Sequence, residues 1–342
     1  MIGRTKTRRV GLVAILGISV TVGALVLMFV LPAIAMELRQ SPASQAAPDL
    51  TATCGSGDAP LSAGYDPVTH EMYVPNFDSN SITVFKGTCT LAGTITLPTG
   101  AQPAGVAFSP ANNNMYVTDN GLNVVYEISG LKVTHTIKGT AKYPLDQPHG
   151  IVYDPGDQVM VVANRLSDDV TLIFASAVEN SYPVGDYPQG IAYDPYEATI
   201  LVANYNSNNV TILSALTLAH VADVPVGSCP SGVAFDYADD YDYVANACSN
   251  NVSVMNGLGE SVGTVSGLAA PWAVTWDQST LQIFVTDSTT GNVTVIGGSN
   301  GLTLYPKLTI AEGSDARGIA YDEANDALYI SGYATDEVYV TT

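Results

Sequence analysis

From Pro60 to the C-terminus one pattern recurs seven times with variations. It runs Pro-x-Gly, two apolar residues and Tyr-Asp, then Tyr-Val-Ala-Asn, then Asn-Asn-Val-Thr-Val/Ile. The clearest copy is Pro188-Gln189-Gly190-Ile191-Ala192-Tyr193-Asp194, followed by Leu201-Val202-Ala203-Asn204 and Asn208-Asn209-Val210-Thr211-Ile212. The leading prolines, Pro60, Pro103, Pro148, Pro188, Pro230 and Pro271, are 43, 45, 40, 42 and 41 residues apart, and Ala316 takes the proline's place 45 residues on. A fixed period near this length, built of short strands, is the signature of a β-propeller.

Each copy carries four strand signals. In the fourth copy these are Gly190–Tyr193, the apolar run Ile200–Ala203, Val210–Leu213 and a segment near Val221–Val226. Asp194-Pro195 and the polar run Asn204–Asn209 supply the turns between the first three. Four antiparallel strands make one blade, and only radial stacking of blades buries both faces of each. The expected fold is therefore all-β, a seven-bladed propeller over residues 50–342. The last copy ends after its third strand at Tyr339-Val340-Thr341-Thr342, whereas Leu50–Cys54 is β-prone and lies ahead of the first copy. That segment is expected to complete blade seven, because an unpaired third strand would expose a row of backbone groups.

These repeats resemble the YVTN family of seven-bladed propellers, found in archaeal and bacterial surface-layer-like proteins. The naming motif stands as Tyr73-Val74-Pro75-Asn76, Tyr116-Val117-Thr118-Asp119 and Tyr243-Val244-Ala245-Asn246. The resemblance covers roughly residues 50–342 and implies an extracytoplasmic binding or envelope protein. Related propellers include lactonases, so a lactonase-like hydrolase or lyase acting at the channel mouth is the alternative.

The N-terminus has a different character. Arg4, Lys6, Arg8 and Arg9 precede an uncharged stretch from Val10 to Met36. About 20 apolar residues suffice to cross a bilayer, and flanking basic residues stay in the cytoplasm. Residues 1–36 therefore read as a basic tip and membrane anchor, with residues 10–36 in the bilayer and the propeller outside. A cleaved signal ending at Ala33-Ile34-Ala35, after Pro32, is the competing reading. Residues 37–49 form a spacer punctuated by proline.

With the four leading basic residues set aside, 8 Lys and Arg face 32 Asp and Glu. Such a balance excludes nucleic acid as a partner. It sets solubility, and it would also suit cationic ligands or bridging divalent ions. The four cysteines of an exported chain suggest two disulfides. Cys229 enters the first strand of blade five and Cys248 follows the second, on the same rim, so these pair. Cys54 and Cys89 remain and tie the closing strand to blade one. No Cys/His metal spacing is present, so neither a metal nor another cofactor is expected. Asn209, Asn251 and Asn292 match the N-glycosylation pattern, each at the same repeat position.

The recurring Asp of the Tyr-Asp turn (Asp66, Asp154, Asp194, Asp236, Asp277, Asp322) reads as a turn former bonded to its own backbone. The Asn of Tyr-Val-Ala-Asn reads the same way. Function is expected where the copies differ at exposed positions. The residue after each leading proline (or Ala316) gives Leu61, Ala104, His149, Gln189, Ser231, Trp272 and Arg317 around one channel mouth. The residue after Tyr-Val-Ala-Asn gives Phe77, Asn120, Arg165, Tyr205, Ala247, Ser288 and Tyr333 on the same rim. His149, Arg165, Gln189, Tyr205, Trp272, Arg317 and Tyr333 are its distinctive members. Aromatic residues with arginine suit a surface protein, peptide or glycan ligand, and lateral self-association is a further option. The four histidines occupy different repeat positions, and Gly-x-Ser-x-Gly is absent. No catalytic residue is assigned.

Overall fold

The computed structural model describes residues 49–297 and 301–342, which hold strands and turns and no helix. The basic tip, the apolar stretch of residues 10–36 and nearly all of the spacer lie outside the described residues. Seven antiparallel sheets follow one another along the chain. Blade four shows the plan: Pro188–Asp194 innermost, then Thr199–Asn204, Asn209–Ser214 and His220–Pro225 at the outer edge. Each strand extends a residue or two beyond the apolar run that signals it, because the flanking Asn, Asp and Pro still pair, as in Asn204 with Asn209. Blade six departs at its edge, where two short strands, Thr303–Leu304 and Leu308–Thr309, share Asn292–Gly297.

The innermost strands are Gly64–Asp66, Pro103–Ser109, Pro148–Asp154, Pro188–Asp194, Pro230–Asp236, Pro271–Asp277 and Ala316–Asp322. Each touches the next in order, and the last touches the first. Leu50–Gly55 closes the ring by pairing antiparallel with Glu337–Thr341 as the outer strand of blade seven. Seven apolar clusters fill the seven gaps between neighbouring blades. At the closure, Cys54, Met72, Val74 and Phe85 pack with Tyr329, Val338 and Val340.

Both disulfides join the expected partners, with Cα atoms 5.5 Å apart for Cys54–Cys89 and 5.3 Å for Cys229–Cys248. The first ties the closing strand to the outer hairpin of blade one. Closing a loop of this length contributes roughly 3–4 kcal/mol in the chain-entropy model.

The Tyr-Asp carboxylates cap their own turns. Asp194 Oδ1, for example, accepts from the backbone of Tyr196 and Glu197 at 2.8 and 3.3 Å. The Tyr-Val-Ala-Asn side chains behave differently from expectation. Their amides reach across the next hairpin to side chains of the third strand: Asn204 Nδ2 donates to Asn209 Oδ1 at 2.9 Å and to Thr211 Oγ1 at 2.8 Å. Asn76, Asn164 and Asn246 repeat the arrangement. These amides point along the second strand into a hairpin whose partners lie opposite, so the cross-hairpin bond is within reach and an own-backbone turn is not formed. Two of the sequon asparagines, Asn209 and Asn251, are acceptors in this network, and Asn292 accepts from Thr309 Oγ1 at 2.9 Å.

One core position breaks the repeat. The second residue of the second strand is Met72, Met115, Met160, Ile200, Ile283 or Leu328 in six blades, all buried. In blade five it is Asp242, with no exposed surface and no hydrogen-bond partner for either oxygen. It shares a strand face with Val244, which packs against blade four. Burial, with Asp194 and Asp240 nearby, pushes its pKa up to about 8.

Two expectations follow. Removing residues 50–55 should abolish the single cooperative melt seen by calorimetry; an unchanged transition would refute closure as a stabilising device. For Asp242 the native state keeps a proton that the unfolded chain releases near pH 4. Stability therefore falls as pH rises from about 4 to about 8, by at most about 1.4 kcal/mol per unit. Asp242→Asn should flatten that slope in urea titrations and Asp242→Met should raise stability at pH 8; parallel profiles for variant and natural chain would contradict it.

Candidate functional site

A backbone device builds the rim on which the variable residues stand. The residue just before the leading proline (or Ala316) is left-handed in six blades: Ala59, Gln147, Tyr187, Cys229, Ala270 and Asp315, with φ between 48° and 56°. In five of these its N–H is held at 2.9 Å by an Asn or Asp of the preceding blade, such as Asp168 for Tyr187 and Asn208 for Cys229. The neighbouring carbonyl then accepts from the residue after Tyr-Val-Ala-Asn in all seven blades, at 2.9–3.2 Å. Those bonds bring the two variable positions of each blade side by side. Glycine completes the convergence. A Cβ at Gly190 would lie 2.6 Å from the Ser231 carbonyl of the next blade, and one at Gly232 would lie 2.5 Å from that of Trp272. Bare backbone is what lets the inner strands close in. Blades one and six carry Ser62 and Ala273 at that position instead.

The first ring lines a single cavity of about 170 Å³ at one mouth of the channel, with all seven of Leu61, Ala104, His149, Gln189, Ser231, Trp272 and Arg317 on its wall. They are not all exposed, as the repeat comparison suggests they should be. Leu61, Ala104, Gln189 and Ser231 are buried, because seven strands converging on one axis leave little room between them. Gln189 in particular is only 2 % exposed. Small residues in blade five, Ser231 and Ala247, leave Tyr205 and Trp272 free to meet across it, their ring centres 6.4 Å apart. Ser231 Oγ also donates to the Trp272 carbonyl at 2.8 Å.

An aromatic and cationic arc surrounds the cavity. Arg317 lies 4.9 Å from the Trp272 ring centre and 4.2 Å from that of Tyr333, and Tyr333 neighbours Phe77 at 6.5 Å. Arg165 lies 5.1 Å from the ring of Tyr187, which neighbours Tyr205 at 6.0 Å. Arg317 is paired with Asp315 at 2.9 Å. The seven expected rim residues are thus brought together. Tyr187 and Asp315 join them, although comparison of the copies at two positions missed both; extending it one residue upstream of the proline finds them.

Among the described residues, four buried polar atoms at this mouth lack a hydrogen-bond partner: Asn120 Oδ1, His149 Nε2, Arg165 Nε and Gln189 Nε2. Burial, then the charge of Arg165, holds the His149 pKa well below its ordinary value, against a backbone hydrogen bond with Gln189. Burial also lowers that of Arg165 to about 10. His149 is therefore a neutral imidazole at neutral pH beside two guanidinium groups. The other three histidines are engaged elsewhere, with Tyr65, Glu127 and Asp223. Among the described residues no group of three His, Cys, Asp or Glu side chains is arranged to hold a metal ion. No helix there is long and apolar enough to cross a membrane.

The fold and this mouth define a class: a seven-bladed propeller with an aromatic and cationic opening on its axis. Among solved structures the chain is similar to virginiamycin B lyase from Staphylococcus aureus, with a TM-score of 0.74 at 14% identity over 85% of this chain and 98% of that one. A catalytically inactive variant of that lyase with quinupristin matches with a TM-score of 0.72 at 15% identity, over 84% and 96%. A streptogramin B lyase structure matches with a TM-score of 0.70 at 14% identity, over 84% and 94%. At such identities the likeness is one of fold. No family model and no curated protein matches the sequence.

His149 carries its own prediction. As pH falls through about 6.5 the unfolded chain takes up a proton that the native site refuses, so stability is lost on acidification, by up to about 1.4 kcal/mol per pH unit. His149→Gln should remove that component between pH 7 and 5, and nitrogen NMR should show the native ring neutral at pH 6. An imidazolium spectrum at pH 6 would contradict the site as described.

Proposed function

We propose that this chain is an extracytoplasmic propeller that captures a ligand in the mouth of its central channel, as a binding, adhesion or envelope protein of the cell surface. The observation that carries this reading is one mouth at which His149, Gln189, Trp272 and Arg317 line the cavity while Arg165, Tyr205 and Tyr333 stand in the aromatic and cationic arc around it, with polar atoms that have no partner among the described residues. Buried polar groups without partners cost stability, and a ligand that supplies the missing bonds recovers it. Two disulfides fit an oxidising compartment outside the cytoplasm. In this reading residues 10–36 anchor the chain in the membrane, unless they are cleaved after Ala35. Glycans on Asn209, Asn251 and Asn292, and lateral contacts between copies, belong to the same surface role.

A lyase or hydrolase acting at the same mouth is the second reading. Two features favour it: solved propellers of like fold are lyases, and His149 is a neutral base beside Arg165 and Arg317. Residues 50–342 applied to peptide and glycan arrays separate the readings. Binding predicts discrete ligands, lost by more than tenfold in a Trp272→Ala, Arg317→Ala double variant whose melting is unchanged. Conversion of quinupristin on incubation, followed by chromatography, would instead support the enzyme. Ligand capture that the double variant retains would refute the mouth as the binding site.

A further inference from the structure

Arg165 and Arg317 are the two arginines between residue 50 and the C-terminus, in a chain with 32 acidic residues and a net charge of −20. Both stand at the same mouth. Burial is the main cause of the lowered Arg165 pKa and the nearby charge of Arg317 adds to it, and both charges act on His149. Arg317 has Asp315 as counter-ion. Among the described residues Arg165 has none: it lies over the Tyr187 ring, and its Nε–H is buried without an acceptor there. A half-buried, uncompensated cation beside a second cation is unfavourable in the empty site. At the same mouth the amide Nε2 of Gln189, a side chain only 2 % exposed on the cavity wall, is another donor with no acceptor among the described residues.

The missing partner is thus an acceptor with negative charge. A planar carboxylate matches the guanidinium fork of Arg165 in two parallel bonds, and a second lone pair on one of its oxygens can accept from Gln189. The cavity, about 170 Å³, is smaller than the roughly 300–1,000 Å³ of sites that enclose a whole small molecule. It suits the end group of a ligand whose remainder lies on the rings of Trp272 and Tyr205. We infer that the mouth recognises a carboxylate-bearing ligand, its anionic group seated on Arg165 and Gln189 and its planar portion on the aromatic arc. This inference rests on the mouth being the binding site.

The test uses the full-length protein, titrated with benzoate, its neutral isostere benzamide and inorganic phosphate while the Arg165 Nε–H resonance is followed by NMR. Benzoate should shift it saturably, at least tenfold more tightly than benzamide or phosphate. Arg165→Gln should weaken benzoate binding at least tenfold with an unchanged melt, and Arg165→Lys, which keeps the charge without the fork, should fall between. Absence of saturation, equal binding of benzamide, or undiminished binding by Arg165→Gln overturns the inference; equally tight phosphate overturns its restriction to carboxylates. Array ligands that bind Arg165→Gln as tightly as the natural chain sink this inference and leave the mouth as a binding site. Saturable benzoate binding with no array ligand at all upholds this inference and counts only against peptides and glycans as the ligands of the mouth.

Discussion

Everything in this molecule depends on the antiparallel pairing of Leu50–Gly55 with Glu337–Thr341. A propeller has no core of its own in any one blade. Its apolar surface is divided among seven gaps, and each gap is filled only when both neighbours are in place. Six gaps lie between blades made of consecutive sequence, but the seventh joins the two ends of the propeller. Bringing those ends together costs loop-closure entropy that the local strand pairs do not. Strand pairing, the Cys54–Cys89 bridge and the apolar cluster around Tyr329 all offset that cost at one place.

Closure has a second consequence at the axis. Seven inner strands can meet only if they nearly touch, and glycine supplies the clearance where one blade's backbone faces the next. The rim is then fixed through its backbone rather than through the variable side chains: a left-handed residue ahead of the strand, the side chain of an Asn or Asp from the previous blade on its N–H, and its carbonyl on the following loop. Because that scaffold makes no demand on the residues beside it, the two positions per blade at the mouth can vary freely. The repeat specifies where the mouth stands, and the departures from it specify what its surface is made of.

Repetition made the fold legible in the sequence, since seven registered copies leave few architectures open. The closing strand and the disulfide partners followed from the incomplete last copy and the rim positions of Cys229 and Cys248. Other features were hidden for physical reasons. Nothing in an isolated Gln reveals that strands converging on an axis will bury Gln189. The role of Tyr187 depends on a left-handed backbone that a tyrosine does not advertise. The Asn204 amide could serve its own turn or the opposite strand with equal chemistry, and only the hairpin geometry decides. Asp242 is of another kind: setting the seven copies beneath one another places a carboxylate in a column of Met, Ile and Leu, a signal the sequence does contain.

Charge deserves to be weighed at two distances. The acidic surface would repel an anionic ligand in bulk, yet at physiological ionic strength that field fades within about 8 Å. Within the mouth the balance reverses, because buried charges are screened far less than exposed ones, and Arg317 and the Gln189 amide line the cavity with Arg165 in the arc around it. Recognition of an anion there would come from contact and not from steering. Such a site selects against the many weakly held anions in its surroundings, since only a group that enters and satisfies Arg165 and Gln189 recovers the cost of approaching an acidic protein.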